Sequence, residues 1–201
     1  FFFDIHHIIF DGSSITAFLR QIAAVYEGGE CPVEALDIFD VAAFDHKISE
    51  ADEYSKATEF FRERFESLEC DSTPVPDVIT DEELSGAGHV EIMAEEISAE
   101  EVGHFTKTLG ITENTLMMGA FNYTLAKLNG ASESQFCTVS NGRHDSRLAE
   151  SVGMFVRTLP FHHSAEDSMT VAGYLASIQD ELFSTLEHDC ISFVRLSTSS
   201  G

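Results

Sequence analysis

The spacing of apolar positions along this chain predicts alternating strands and helices. Apolar residues recur every three or four positions from residues 15, 54, 102, 116 and 171, which predicts five amphipathic helices. Apolar or alternating runs predict strands over residues 1–9, 89–97, 135–140 and 153–161. Residues 30–52 are expected to be irregular, and residues 70–87, rich in turn formers, to form a linker or crossover. This order predicts an α/β or α+β fold.

Local capping signals mark where several of these helices begin. Asp11-Gly12-Ser13-Ser14 offers a turn and an N-cap for the first helix, and Thr112 caps another. Ser98-Ala99-Glu100-Glu101 has the form of a capping box. These polar residues would satisfy backbone N–H groups that the first turn of a helix leaves without a partner.

The first strand is expected to be buried on both faces, yet it contains His6 and His7 and runs into Asp11. Neighbouring side chains of a strand point to opposite faces, so one histidine would face a cleft and the other the core. A buried Asp11 would need a cationic partner, with arginine the favoured type. A neutral imidazole can act as a general base near neutral pH. A hydrogen-bonded core histidine is the alternative, and a metal site is disfavoured because adjacent strand histidines diverge.

The charge and the cysteines restrict the classes of partner and the compartment. The net charge is −24, from 35 acidic residues against 11 lysines and arginines, which disfavours nucleic acid and anionic membranes as partners. No apolar run reaches the roughly 18 residues of a membrane span. The four cysteines are scattered without a CxxC pair, so neither a zinc site nor a disulfide framework is expected, and a cytoplasmic location fits best.

Four short motifs follow one another along the chain. Residues 6–12, HHIIFDG, match the pattern HHxxxDG, and residues 138–143, TVSNGR, form a strand that ends in a Gly-Arg turn. Residues 152–160, VGMFVRTLP, are similar to VGxFVNTLP, and residues 187–189, EHD, are similar to an HQD stretch. In this order and spacing, the motifs resemble the condensation domains of nonribosomal peptide synthetases, within the chloramphenicol acetyltransferase-like superfamily.

The resemblance implies a fold and a domain organisation. The expected fold is a partial chloramphenicol acetyltransferase-like sandwich that holds the end of an N-terminal lobe and most of a C-terminal lobe. Residues 1–45 would end the N-terminal lobe, residues 46–87 would form a connecting helix and linker, and residues 88–201 would form an incomplete C-terminal lobe. The chain also starts inside an apolar pattern without a polar lead-in. We therefore expect a fragment that is inactive in isolation.

The resemblance also implies a reaction and its partners. Such domains form an amide bond between a donor acyl or peptidyl thioester and the amine of an acceptor aminoacyl thioester. Carrier proteins deliver both groups on phosphopantetheine arms, so the expected partners are carrier proteins and adjacent synthetase domains. No directly bound cofactor and no metal are expected.

The resemblance assigns roles to particular residues. His7 would be the catalytic residue, as a base or as a positioner of the amine. The motif residues His6, Asp11 and Gly12 would be structural, with Arg143 the candidate partner of Asp11, and the Gly12 backbone N–H could position the thioester carbonyl. The candidates for the wall of the substrate tunnel are Ser140, Arg157 and Thr158.

Other functions stay open at this point. Arg157 stands where the family pattern has asparagine, which puts substrate contact at that position, and activity, in question. An epimerization domain would also carry HHxxxDG and would invert the α-carbon of an aminoacyl group. An ester-forming acyltransferase would use hydroxyl acceptors. A degenerate domain that only docks carrier proteins is the non-enzymatic alternative.

Overall fold

The computed structural model describes residues 2–74, 89–93, 96–143, 145–166, 168–191, 193–194 and 196. Within these residues the chain forms six α-helices, two short 3-10 helices and one two-stranded sheet in which β1 pairs with β2. The α-helices and strands, in chain order, are α1 Ser14–Tyr26, α2 Ile38–Ile48, α3 Asp52–Phe65, α4 Ala99–Leu109, α5 Glu113–Leu128, β1 Glu133–Ser140, β2 Arg157–Ser164 and α6 Val171–Glu187. In these residues, no helix is both long enough and apolar enough to cross a membrane.

The chain divides into two compact units. The first consists of Phe1–Leu68, Cys137–Pro160 and Thr185–Gly201, and the second of Glu69–Phe136 and Phe161–Ser184. Each unit is therefore assembled from segments that are distant in sequence. The lobe boundaries at residues 45 and 87 stay a prediction.

An apolar cluster built on α3 forms a core of the first unit. Ala57 and Phe61 lie four residues apart, so they share one helix face, and both are buried against Leu159 and Ile191. Removing a large apolar side chain such as Phe61 from water contributes about 1.5–3 kcal/mol. This cluster fixes the start of β2, which carries Arg157 and Thr158, and the segment after α6.

Close packing and a buried polar network hold the second unit together. A Cβ atom on Gly119 would lie 2.7 Å from Leu175 Cδ2, so α5 and α6 approach closely at this glycine. The Tyr174 hydroxyl donates to the Gly119 carbonyl (3.0 Å) and to Asn122 Oδ1 (2.8 Å). Asn122 Nδ2 donates to Ser134 Oγ (2.7 Å), which satisfies the buried amide.

Most predicted elements are present. Helices α1, α3, α4, α5 and α6 and strand β1 confirm the predictions, and so do the capping box of α4 and the Thr112 cap of α5. The prediction that residues 30–52 are irregular was wrong, because α2 forms there. Asp37 accepts hydrogen bonds from the N–H groups of Phe39 and Asp40 and so begins this helix with a capping box.

The predicted strands agree less well with the structure. The prediction of a buried strand over residues 1–9 was wrong. Residues 2–6 belong to no helix or strand, and a 3-10 helix spans His7–Ile9. Phe2, Ile8 and Ile9 are exposed. A strand also does not form at residues 89–93 or 96–97; residues 94–95 of that prediction, and residues 75–87 of the predicted linker, lie outside the described residues. The last predicted strand starts at Arg157 rather than at Gly153.

Candidate functional site

The two histidines lie on an exposed turn and not on a strand. His6 precedes the 3-10 helix His7–Ile9 and caps it, because its Nδ1 accepts a hydrogen bond from the Ile8 N–H (3.1 Å). Both histidines are exposed. The expected division into one cleft-facing and one core-facing histidine is therefore wrong, since it assumed the alternation of a strand. Instead, His6 shapes the turn and His7 is presented at its start.

Asp11 is the buried anchor behind this turn, with a side chain that is 0% exposed. Its Oδ1 accepts hydrogen bonds from the Ser14 N–H (2.8 Å) and the Ser14 hydroxyl (2.8 Å), and its Oδ2 accepts one from the Phe155 N–H (3.0 Å). Arg143 Nη2 donates to Oδ1 at 2.9 Å. Burial alone would raise the pKa of Asp11, but these hydrogen bonds and the Arg143 charge outweigh it, and the pKa lies below its usual value.

Arg143 supplies the positive charge that a buried Asp11 requires. Its side chain is 8% exposed, and besides the Asp11 contact its Nη1 donates to the Leu148 carbonyl at 3.2 Å. The guanidinium carbon lies 4.3 Å from the centroid of the Phe155 ring, within cation–π range. The ion pair suggested by the sequence is thus present, and it joins residues 132 positions apart.

Ser14 has a role that the sequence did not reveal. The residue is fully buried, and its Oγ lies 2.8 Å from the Gly153 carbonyl oxygen and accepts hydrogen bonds from the Gly153 N–H (3.0 Å) and Arg143 Nη2 (3.0 Å). The N-cap residue Ser13 makes no capping hydrogen bond through its side chain, and Asp11 binds the first N–H of α1 instead. The sequence feature that could have indicated these contacts is an acidic residue, Asp11, three positions before a serine at the start of a predicted helix.

The turn before Arg143 requires glycine, whereas the turn after the histidines does not. Gly142 has a φ of +64°, and a Cβ atom there would overlap the Phe155 carbonyl oxygen. Gly12 has no positive φ, and a Cβ atom on it would meet nothing within 4 Å. The backbone at position 12 therefore does not require a glycine.

The three predicted tunnel residues have different surroundings. Ser140, at the end of β1, is buried, and its hydroxyl donates to Asp189 Oδ2 at 2.6 Å. Arg157, at the start of β2, donates through Nη2 to Asp45 Oδ1 (2.6 Å) and through Nη1 to the Asp189 carbonyl (3.1 Å). Thr158 is exposed and lines a cavity of about 700 Å³ together with Arg157. The structure therefore places Arg157 and Thr158 in one wall and buries Ser140.

Among the described residues, no group of three or more His, Cys, Asp or Glu side chains is arranged to hold a metal ion. What the structure brings together in the first unit is a buried carboxylate–guanidinium pair, a backbone turn that this pair fixes, and an exposed histidine next to that turn. An exposed imidazole on a fixed turn can exchange or orient a proton of an incoming amine or hydroxyl group.

The comparison with known sequences gives a single family. All of the chain, residues 1–201, matches the family described as condensation domain. The chain is 25% identical to bacitracin synthase 1 of Bacillus licheniformis over 199 residues, and 27% identical to tyrocidine synthase 3 of Brevibacillus parabrevis over 205 residues. These alignments cover 96% and 98% of this chain. They cover 4% and 3% of the two relatives, so the chain spans a small part of each.

Solved structures agree on the fold. The first condensation domain of the calcium-dependent antibiotic synthetase, in complex with a substrate analogue, matches with a TM-score of 0.75 at 17% identity, over 98% of this chain and 44% of that one. The condensation domain of the monacolin K polyketide synthase MokA matches with a TM-score of 0.78 at 15% identity, over 98% and 47%. This likeness confirms the predicted chloramphenicol acetyltransferase-like fold. By its match over all 201 residues, the chain belongs to the condensation domain family.

Proposed function

We propose that this chain is part of a nonribosomal peptide synthetase condensation domain that forms an amide bond. The acceptor amine attacks the carbonyl carbon of the donor thioester, so a C–N bond forms and the C–S bond breaks. The amine loses a proton, and the released thiolate of the donor carrier gains one. Membership of the condensation domain family supports this reaction, and the buried Asp11–Arg143 pair is the observation that carries it. That pair anchors the chain directly after the His-bearing turn, and an oriented reaction requires such positioning.

His7 is the residue that we assign to the chemistry, as the base or the positioner of the attacking amine. It is exposed, and it follows the residue that caps the turn. The Gly12 N–H has no hydrogen-bond acceptor among the described residues, and no atom lies within 4 Å of the position where its Cβ would stand. A backbone donor in open space can bind the oxygen of a thioester carbonyl as negative charge develops on it.

The partners in this proposal are carrier proteins and the adjacent domains of a synthetase. The carriers bring both substrates on phosphopantetheine, which is therefore part of the substrate and not a resident cofactor. One of the matching structures is that of a holo four-domain nonribosomal peptide synthetase, and the curated relatives are many times longer than this chain. The four cysteines are free thiols, which supports the expected cytoplasmic location.

The test is direct detection of the product on its carrier. The complete condensation domain that contains this chain is mixed with one carrier loaded with a donor acyl group and one loaded with an acceptor aminoacyl group. Intact-protein mass spectrometry then reports whether the acyl group moves to the acceptor. We expect transfer by the parent domain, loss of transfer in His7→Ala, and substantial transfer in His6→Asn. His6→Asn is the matched control, because it removes the neighbouring imidazole while its side-chain oxygen can still accept the capping hydrogen bond from the Ile8 N–H.

The same assay separates the other functions. Inversion of the acceptor α-carbon without transfer would indicate epimerization, and transfer to hydroxyl acceptors alone would indicate an ester-forming enzyme. The 201-residue chain assayed alone tests the expectation that it is inactive, which its coverage of 44% and 47% of the matched domains supports. Transfer by the chain alone would contradict that expectation.

A docking domain without activity is the second candidate, and Arg157 favours it. The guanidinium is bound to Asp45 and to the Asp189 carbonyl, where the family pattern has an asparagine. If the parent domain binds loaded carriers but transfers nothing, Arg157→Asn is the first reversion to assay. Transfer that appears in this variant would mean that Arg157 blocks an otherwise competent site.

A further inference from the structure

Two cavities in the first unit share one ion pair as a common wall. We name them the Cys190 cavity, of about 700 Å³, and the Arg147 cavity, of about 730 Å³, after a residue that lines each one. Among the described lining residues, Asp45 and Arg157 are the two that belong to both cavities. Both volumes fall within the range of roughly 300–1,000 Å³ that is usual for sites of small ligands.

The wall is formed across α2 and the start of β2. Asp45 Oδ1 lies 2.6 Å from Arg157 Nη2, and the Arg157 side chain is 18% exposed while that of Asp45 is 45% exposed. A second contact, from Arg157 Nη1 to the Asp189 carbonyl, holds the arginine side of the wall. Asp45 belongs to α2, so the ion pair forms only while α2 stays in this position.

Helix α2 packs on the first unit through a face that is only partly buried. No residue of α2 is buried, and Phe39 and Phe44 are exposed. The chain before the helix is held by hydrogen bonds from the Ser151 hydroxyl to the Leu36 carbonyl and from the Val152 N–H to Glu34. Asp45 lies in the last turns of α2, away from that attachment. The ion pair is therefore a polar contact between the end of α2 and the start of β2.

The lining of the Cys190 cavity defines the chemistry that it would accept. One part of its surface is apolar and is formed by Ala42, Val156, Ile191, Phe193 and Val194. The polar side chains that also line it are Asp45, His46, Ser49, Tyr54, Arg157 and Thr158. The apolar part would bind an aliphatic or aromatic side chain.

We propose that the Arg157–Asp45 ion pair partitions one larger binding space into these two cavities, and so limits the size of the apolar acyl or aminoacyl side chain that the Cys190 cavity admits. The partition follows from the geometry alone, whereas the substrate class rests on the proposed function. Arg157 is then a specificity-determining residue. Its side chain reaches Asp45 at 2.6 Å, and a shorter asparagine at this position would not span the same gap.

A cysteine already in the wall allows the partition to be measured without any turnover. In a variant with the exposed Cys31 and Cys137 replaced by serine, Cys190 is the partly exposed thiol and Cys70 is buried. The rate of Cys190 alkylation is measured by intact-protein mass spectrometry with iodoacetamide as the small reagent and N-(1-pyrenyl)maleimide as the large one. Burial raises the pKa of the Cys190 thiol and the Arg157 charge opposes that rise. Both effects change the thiolate fraction that each reagent meets, so the ratio of the two rates reports on space.

We expect Arg157→Asn and Asp45→Asn to raise the ratio of the large-reagent rate to the iodoacetamide rate by about tenfold, the factor that corresponds to about 1.4 kcal/mol. Arg147→Asn is the matched control, because Arg147 pairs with Asp145 and lines the Arg147 cavity alone. An unchanged ratio in both variants would overturn the partition. Equal acceleration of both reagents is one such outcome and would indicate general loosening of α2. If Arg157→Asn does not fold, Asp45→Asn alone decides the test, because it breaks the same ion pair from the other side.

The substrate part is tested in the transfer assay with alanyl and naphthylalanyl groups loaded on each carrier in turn. We expect Asp45→Asn to raise the naphthylalanyl-to-alanyl product ratio by about tenfold, and an unchanged ratio would overturn the size limit on substrates. Absence of product from the parent domain with every substrate would refute the proposed function and, with it, the substrate part. The partition would still be decided by the alkylation rates.

Discussion

Two arginines in the first unit each bind an aspartate that is distant in sequence, and the two ion pairs differ in how far they are buried. Arg143 and Asp11 are 8% and 0% exposed, and Ser14 and Phe155 donate further hydrogen bonds to the carboxylate. Arg157 and Asp45 are 18% and 45% exposed, and no further hydrogen bond to the Asp45 carboxylate is found among the described residues. A buried pair cannot lose one partner without leaving a charge in a poorly solvated place, whereas water can replace the partner of an exposed carboxylate. The Asp11–Arg143 pair is therefore required for the fold, whereas the Asp45–Arg157 pair can break at little cost in stability.

Loss of Arg143 should be the most damaging of these changes. Arg143→Ala leaves the Asp11 carboxylate buried beside the remaining donors, and we expect the free energy of unfolding to fall by about 3–5 kcal/mol. Urea unfolding followed by circular dichroism measures this. A loss below about 1 kcal/mol, the range of exposed ion pairs, would mean that the two arginines do not differ in the way we describe.

Gly142→Ala tests the same pair through the turn that precedes Arg143. The new Cβ would overlap the Phe155 carbonyl oxygen at a positive φ, and we expect a loss of about 3 kcal/mol, from backbone strain and overpacking together. Gly130→Ala is the matched control, because Gly130 has nearly the same φ (+65°) with nothing within 4 Å of the added atom. It should lose only about 1 kcal/mol. Equal losses in the same unfolding experiment would show that the φ value, and not the contact with Phe155, decides the effect.

The stability contributed by Asp11 should depend on pH in a defined direction. Because the pKa of Asp11 in the folded chain lies below the ordinary 3.8, its contribution is present above that pH and is lost as the pH falls through the folded value. The difference in unfolding free energy between the parent chain and Asp11→Asn should be constant above about pH 5 and should shrink below it. A difference that grows on acidification would contradict the lowered pKa.

Breaking the more exposed Asp45–Arg157 pair should have the smallest effect on stability. We expect Asp45→Asn to reduce the free energy of unfolding by about 1 kcal/mol or less, because the carboxylate is nearly half exposed. Hydrogen exchange should show faster opening in α2 and unchanged protection in α3. A loss comparable to that of Arg143→Ala would mean that α2 is an integral part of the core.

Helices were largely predictable from the sequence, because the caps and the apolar spacing that define them are local. Ser98 and Thr112 each bind a backbone N–H three residues ahead, as the sequence indicated. Helix α2 was missed although its signal was also local. Asp37 and Asp40 form a capping box with acids at both positions, and the acidic, irregular composition of residues 30–52 obscured it.

The strands were harder to predict because strand formation depends on a partner. Residues 153–156 have the apolar pattern of a strand, but Asp11 and Ser14 bind the backbone of Gly153 and Phe155 and take the groups that a sheet would use. The Asp11–Arg143 pair could be named from the motifs, whereas the Ser14 contacts and the link from Arg157 to Asp45 could not. Such contacts join positions more than 100 residues apart, and no local pattern encodes them.

The central claim is that Asp11 and Arg143 act as one buried unit behind the histidine turn. A double-mutant cycle measures it most directly, with unfolding free energies of the parent chain, Asp11→Asn, Arg143→Gln and the double variant. Our account predicts that the sum of the two single losses in unfolding free energy exceeds the loss in the double variant by about 2 kcal/mol or more. The reason is that each single change leaves the other partner buried. Losses that add within about 0.5 kcal/mol would show that the two side chains stabilise the chain independently, and would contradict the account.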